Sequence, residues 1–377
     1  MGGAIMATDG RNIDFGFVAS AAGAPGASDS ETYENILGDC EEYSALGYST
    51  AWVLEHHFSD YFPTPDPVAL LHFIGARFPK LNLGTCVIVT PWYEPLRLAG
   101  AIAQLNTFTE RELHLGLGRG AAKYEYDRFG RDMEASRPRF KETLDILRLA
   151  LRGEPFTYQG KIFQIKKETR VRPRTNAEKI HFYGAIGSPG SAAIMAELGI
   201  PPMCTTIGDY EAQKRTLDAW KDEAGSKGAS TDVKFPIMVN CVIADTDEEA
   251  VEEAQLYMPR FMQAQVDHYT VDETDWENIK SYEAWKRIFS GLKSRCDPEN
   301  IPAWTKWQFV GTPETVRERV QAYIDAGFNT FLIHTATPGA PVEPRRHWTR
   351  RFATEVAPHF SSSFGAGRRQ QLSQVDR

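Results

Sequence analysis

Short apolar runs rich in β-favouring residues alternate along this chain with segments of helical periodicity. That alternation restricts the fold more than any other feature. Strands joined through helices must run parallel, so the choice is a closed barrel or an open doubly wound sheet. Strands are expected at 14–19, 50–54, 81–89, 113–118, 179–183, 203–206, 235–244 and 330–334. Helices are expected near 31–46, 67–77, 95–108, 136–151, 188–198, 210–224, 246–261, 313–326 and 345–356. Their ends carry the usual signals: Gly47 stops the first, and Asp66-Pro67 and Thr312-Pro313 open two others. Residues 156–163 read as a small hairpin excursion, and Arg119-Gly120 leads into an exposed polar loop. Eight strands, each followed by a helix, define an α/β fold of the (β/α)8 TIM-barrel type. Residues 263–306 fit no such unit and form an insertion between strands seven and eight. An open dinucleotide-binding sheet is disfavoured, because Leu115 to Gly120 has the wrong glycine spacing for G-x-G-x-x-G. The expected layout is a disordered leader (1–12), one barrel domain (13–360) and a disordered tail (361–377).

Charge and cysteine usage narrow the function. The 377-residue chain carries a formal net charge of −8, which argues against nucleic-acid backbone binding as its main task. Its five cysteines are scattered, odd in number and never spaced as C-x-x-C. They read as reduced thiols, hence a cytoplasmic protein. No run of eighteen apolar residues is present, so no membrane span is expected.

Three stretches carry candidate chemistry. Trp52-Val53-Leu54 ends abruptly in Glu55-His56-His57-Phe58, followed by a Pro-rich loop. A buried strand therefore delivers a carboxylate and two imidazoles to its C-terminal end, where parallel α/β proteins place their chemistry. Gly116-Leu117-Gly118-Arg119-Gly120 ends strand four; its glycines allow close backbone approach and Arg119 offers a fork suited to phosphate. Gly184 to Ser191 follows strand five and opens a helix, which makes an anion site compatible with ordinary capping by Ser188. Arg119 and Ser188, on neighbouring strand ends, are placed to hold one phosphate between them. No metal set is expected: His56 and His57 diverge on a strand, and His114 has no evident partner. No G-x-S-x-G elbow supports serine hydrolysis.

Residues 51–58, 81–85 and 115–120 with Phe129-Gly130, extended by 184–191 and 310–314, together resemble the bacterial luciferase-like flavin monooxygenases. The Glu-His-His-Phe element resembles the catalytic alpha subunit of bacterial luciferase. The resemblance implies a barrel that takes reduced FMN from a separate flavin reductase. Oxygen from O2 would add at flavin C4a, and the resulting peroxide would attack a small organic substrate such as an aldehyde or ketone. By position, His56 matches the family's catalytic histidine, with Glu55 orienting it or the flavin ring. Val87, Arg119, Ala121, Arg137, Ala185, Gly187, Ser188 and Ser191 match positions that line the flavin. The resemblance also implies a non-proline cis peptide at Cys86-Val87, and a mobile lid near 291–304. Gly118 stands at a flavin-facing position where luciferase has a cysteine, and Thr206 where it has a tryptophan. Thr109-Glu110-Arg111 departs from the usual turn before strand four. The first two departures count against light emission, not against flavin chemistry. A deazaflavin-dependent hydride-transfer enzyme and a non-catalytic flavin-binding partner subunit are the alternatives. A homodimer is expected through the apolar helices 67–77 and 95–108, with Val68, Leu70, Leu71, Phe73, Ile74, Leu96, Leu98, Ile102 and Leu105 at the interface.

Overall fold

A computed structural model describes residues 12–364, apart from 21, 24–25, 187–188, 207, 277–278 and 280–281. In chain order the elements begin β1 (Asp14–Val18), α1 (Asp29–Leu46), β2 (Thr50–Val53), α2 (Pro67–Arg77), β3 (Asn82–Val89) and α3 (Pro95–Phe108). Next come β4 (Leu113–Gly118), α4 (Lys123–Arg128), α5 (Ser136–Ala150), the hairpin β5 (Phe156–Gln159) and β6 (Gln164–Thr169), β7 (Ile180–Ala185) and α6 (Pro189–Glu197). The remainder is β8 (Pro202–Thr205), α7 (Tyr210–Ser226), β9 (Pro236–Ile243), α8 (Asp247–His268), α9 (Glu283–Ser294), α10 (Ile301–Thr305), β10 (Phe309–Gly311), α11 (Pro313–Ala326), β11 (Thr330–His334) and α12 (Val342–Arg351). Strands β1, β2, β3, β4, β7, β8, β9 and β11 pair in parallel, and β8 pairs back onto β9 to close an eight-stranded barrel. The expected (β/α)8 architecture is present.

Side-chain alternation sorts the core into two layers. Phe15, Phe17, Ala51 and Val53 pack between the sheet and the helices. Val18, Trp52, Tyr183, Met203 and Leu332 belong to a second cluster, inside and above the barrel. Trp52 is fully buried, and small neighbours make room for it: a Cβ on Gly16 would lie 2.4 Å from its indole nitrogen, and one on Gly84 would lie 2.4 Å from its ring. Beside it lies His114, whose Nδ1 is 3.1 Å from the Tyr183 hydroxyl and whose Nε2 is 3.2 Å from Glu112. His114 therefore has partners after all: Glu112, just before its own strand, and Tyr183 on β7, which the fold sets beside it.

Four further differences have physical reasons. The loop expected after Gly120 folds into α4, which buries Glu125 and Tyr126. Helix α8 passes through Pro259 to His268, because Met258, Phe261, Met262 and Val266 continue its buried stripe. Phe309–Gly311, too short to stand out as a strand, pairs with the last three residues of β9. The chain is ordered four residues past the expected boundary at 360, since Phe364 packs edge-on against Phe15 and Tyr48. Leader residues 1–11 and tail residues 365–377 lie outside the described part.

The Gly84→Ala variant tests the seating of Trp52. Its methyl group would force the indole to move, and overpacking of this kind costs roughly 1–3 kcal/mol. A lowered urea midpoint with unchanged slope is the expected result; an unchanged midpoint would show that the barrel interior has slack.

Candidate active site

A cavity of about 690 Å³ opens at the C-terminal ends of the barrel strands. Glu55, His56, Val87, Gly118, Arg119, Ala121, Arg137, Ala185 and Ser191 all border it. Gly187 and Ser188 lie outside the described residues. The structure thus gathers every described candidate into one wall.

After β2 the chain leaves the sheet, and the Leu54 N–H donates to Ser20 Oγ at 3.0 Å. Glu55 is almost wholly buried. One carboxylate oxygen accepts the Val89 N–H at 2.8 Å, which ties the end of β2 to the end of β3. The other lies 2.9 Å from His57 Nε2. Glu55 therefore braces His57, not His56, and this corrects the expectation that it orients His56: the side chain two residues on returns to the same side of an extended chain. His57 turns to Glu55 and packs against Phe129. His56 borders the cavity, with its ring 4.7 Å from Tyr61 and 4.5 Å from His268. Loss of solvent, then the neighbouring His268 and His57, hold the His56 imidazole well below its ordinary pKa. Burial likewise raises Glu55 well above the carboxylate range, against the opposing effect of the Val89 N–H.

On another part of the wall, Arg119 extends from the end of β4 and Arg137 from the first turn of α5. The Arg119 guanidinium lies 4.5 Å over the Tyr282 ring and donates to Ser136 Oγ at 3.3 Å. Burial first, and the like charge of Arg119 second, lower the Arg137 pKa. Two cations facing one cavity at a helix N-terminus form a site for an anion. Gly118 approaches β3 closely: a Cβ there would sit 2.5 Å from Val87 Cγ2. The peptide between Cys86 and Val87 is cis, as the resemblance implied.

The insertion supplies the rest of the wall. Tyr269, Trp285, Phe289 and Trp304 line the cavity together with Met238, Asn240 and Gln265. Trp285 packs on Phe289 and Tyr269, so it belongs at once to an aromatic cluster and to the cavity surface. Thr206 donates to Gln308 Oε1 at 2.7 Å, and the Gln308 amide donates back to the Thr206 carbonyl at 3.0 Å.

Three residues in this region escape a reading of the sequence: Glu125, His268 and Tyr282. Glu125 sits in what looks like a polar loop, and its Oε1 accepts the His57 N–H at 2.8 Å. His268 ends α8 inside the insertion. The Tyr282 hydroxyl donates to the Gly120 carbonyl at 2.7 Å, across 162 residues of chain. No local pattern marks any of them. Among the described residues, His56, Glu125 and His268 form one group whose potential ligand atoms lie within 4.8 Å of one another.

With this geometry in place, comparison with known proteins defines the class. The family model described as "Luciferase-like monooxygenase" matches residues 13–330. The chain belongs to the luciferase-like monooxygenase family and is an oxidoreductase of that kind. Protein y4vJ of Sinorhizobium fredii is 33% identical over 42% of this chain, and the chain spans 45% of that relative's length. The oxygenase component of the flavin-dependent trigonelline monooxygenase of Acinetobacter baylyi is 24% identical, covering 92% of this chain and 94% of its own. An F420-dependent glucose-6-phosphate dehydrogenase of Kineococcus radiotolerans is 22% identical over 93% of this chain and 98% of its own. Among solved structures, the monooxygenase RslO1 of Streptomyces bottropensis superposes with a TM-score of 0.76 at 24% identity, covering 92% of this chain and 99% of that one. The oxygenating constituent of 3,6-diketocamphane monooxygenase from Pseudomonas putida, in complex with FMN, gives 0.71 at 19% identity, covering 92% and 98%.

The brace at Glu55 generates an expected result. Glu55→Gln keeps an acceptor for the Val89 N–H and a polar group for His57, whereas Glu55→Ala strands both. A buried donor left without its partner costs roughly 1–3 kcal/mol. Chemical denaturation is expected to place the alanine variant below the glutamine variant by about that amount; equal stabilities would show that the carboxylate braces nothing.

Proposed function

We propose that this protein is the oxygenase of a two-component system: it takes reduced FMN from a separate flavin reductase and places one atom of O2 into a small organic substrate. The observation that carries this reading is one cavity bordered both by the Arg119–Arg137 pair and by His56. Its volume falls in the roughly 300–1,000 Å³ range of small-molecule and cofactor sites. The residues fit a phosphate-bearing flavin. Two guanidiniums, the start of α5 and Ser191 supply donors for a phosphate. The glycine at 118 and the small side chains of Ala121 and Ala185 leave room for a flat ring. When bound, the reduced flavin supplies the two electrons that split O2, one atom entering the product and one leaving as water.

The chain's own residues bind, orient and exclude water. His56, held neutral, accepts or donates one hydrogen bond at the reacting centre. Glu55 acts through the backbone: by holding His57 and Val89 it fixes the exit of β2, and so the direction of His56. The insertion contributes an aromatic wall, with Asn240 and Gln265 as the polar groups for a carbonyl or hydroxyl. That wall suits an uncharged, largely apolar substrate. Segment 291–304, which contributes Leu292, Arg295 and Trp304 to the wall, is the part we assign as the lid.

Oxygen-uptake assays with reduced FMN and a panel of aldehydes, ketones and aromatics test the reading. Substrate-dependent uptake with product formation is expected. The second reading, hydride transfer with a deazaflavin, rests on the F420-dependent relative. Product formed without oxygen from reduced F420, and none from reduced FMN, would establish it. Oxygen uptake with no product from any substrate would leave only a flavin-binding partner subunit.

Two variants examine the roles. Arg119→Ala is expected to weaken reduced FMN binding about tenfold to a hundredfold, the worth of a charge-assisted phosphate contact. Riboflavin, which lacks the phosphate, should lose much less; equal losses would remove the phosphate assignment. His56→Ala should leave flavin binding intact and cut product per reduced FMN by roughly 10²–10⁴-fold. A fully coupled His56→Ala enzyme would show that another group does this work.

Two copies of the chain are proposed to associate through α2 and α3, by a smaller face than the sequence suggests. Val68, Leu71, Ile74, Leu98, Ile102 and Leu105 are buried within the single chain. Phe73 and Phe108 remain exposed, with Leu70 and Leu96 partly so. A dimeric elution mass that falls to monomer in Phe73→Glu is the expected result, and a monomeric parent would refute it.

A further inference from the structure

We propose that Glu125 and His268 are positioning residues that hold one proton next to His56, ready to replace the proton His56 exchanges with the reacting centre. The role of the proton in turnover rests on the monooxygenase reading; the existence of the proton pair does not.

His268 Nδ1 lies 2.8 Å from Ser59 Oγ and 3.0 Å from the Tyr124 hydroxyl. Tyr124 has one hydroxyl proton, and it is donated to the His57 carbonyl at 2.6 Å. The Tyr124 oxygen can therefore only accept from His268, so Nδ1 carries the ring proton and Nε2 is a lone pair. That Nε2 is buried and has no hydrogen-bond partner. It faces Glu125 Oε1 at 3.6 Å. Glu125 Oε1 is itself an acceptor, because it takes the His57 N–H. Two acceptors facing each other in a buried site need a cation between them.

The surroundings favour a proton. Burial raises Glu125 to about 7, against the opposing pull of the His57 N–H and ring. Burial depresses His268 to about 3, so the proton resides on the carboxyl. The other titratable groups facing the cluster are Tyr124, pushed up to about 12, Tyr61 and Tyr269, both raised by burial, and His57, lowered by burial; the three phenols stay protonated at neutral pH. The His56 ring meets that of His268 edge to face at 4.5 Å. When His56 has given up a proton, the Glu125 O–H bond breaks and an N–H bond forms at the vacated His56 ring nitrogen, within 4.8 Å of the Glu125 carboxyl. The carboxylate left behind is reprotonated from solvent, and no electrons move.

Sign follows from the raised carboxyl. Below its ordinary range Glu125 is protonated in both folded and unfolded chains. Between that range and about pH 7 only the folded chain holds the proton. The stored proton, and the stability linked to it, are therefore lost as pH rises through about 7.

The experiment compares the full-length parent with Glu125→Gln, Glu125→Asp and His268→Gln. Nitrogen-15 histidine NMR without flavin comes first. The Nε2 resonance that disappears in His268→Gln should move with an apparent pKa near 7 in the parent, and that transition should vanish in Glu125→Gln. The second readout is product per reduced FMN against pH. The parent should lose coupling as pH rises through 7; Glu125→Gln should be flat and roughly tenfold lower at pH 6, with Glu125→Asp restoring the pH-dependent limb. A transition that persists in Glu125→Gln, or is absent from the parent, overturns the proposal. So does stoichiometric Zn²⁺ binding that His268→Gln abolishes, because the cation between the acceptors would then be a metal. The NMR arm needs no turnover, so failure of the monooxygenase reading appears only in the second readout.

Discussion

A buried carboxyl group holds this site together. Glu55 sits where β2 leaves the sheet, and its two oxygens are committed to different parts of the fold. One takes the Val89 N–H at the end of β3; the other meets the imidazole two residues further on. A polar group in such a place is costly unless it is hydrogen-bonded. Its partners therefore dictate the path of the chain from Leu54 to His57. Because His57 is held by Glu55, His56 faces the cavity. Loosening that brace would leave the barrel standing and His56 unplaced.

Much of the fold is legible in local sequence, because barrel strands and their helices obey short-range rules. Trp52 and Val53 read as a buried strand, and Asp66-Pro67 opens a helix where its cap accepts the Ala69 N–H. The residues in the cavity wall come from strand ends, so knowing the strands locates Arg119 and Ala185 as well. What escapes is long-range. Glu125 looks like one acid among many until α4 buries it beneath His57. His268 lies in a segment without barrel periodicity, and only the folded chain sets its ring against that of His56. Glu55 meets His57 and not His56 because the exit turn, and not adjacency in sequence, decides which imidazole its carboxyl reaches.

The barrel and its insertion divide the labour. Strand ends and the start of α5 present glycine, alanine and arginine, suited to a flat, anionic cofactor. Helices α8 to α10, with Tyr269 just past the end of α8, present Phe261, Met262, Trp285 and Trp304, suited to an apolar substrate. The barrel residues belong to a fold shared with the FMN-bound and F420-dependent relatives. The insertion has no place in the repeating βα pattern and supplies the aromatic part of the cavity wall. His268 lies at the junction, the last residue of α8 and a neighbour of His56. Through it the insertion touches His56.

Oxygen-isotope labelling reaches the central claim most directly. The purified chain would be supplied with reduced FMN by an unrelated flavin reductase, under ¹⁸O2, with a substrate identified by oxygen uptake. Mass spectrometry of the product should show one ¹⁸O atom incorporated per molecule and none when the label is in the water. Product that carries no label from ¹⁸O2, or that forms equally well without oxygen, would contradict the monooxygenase account.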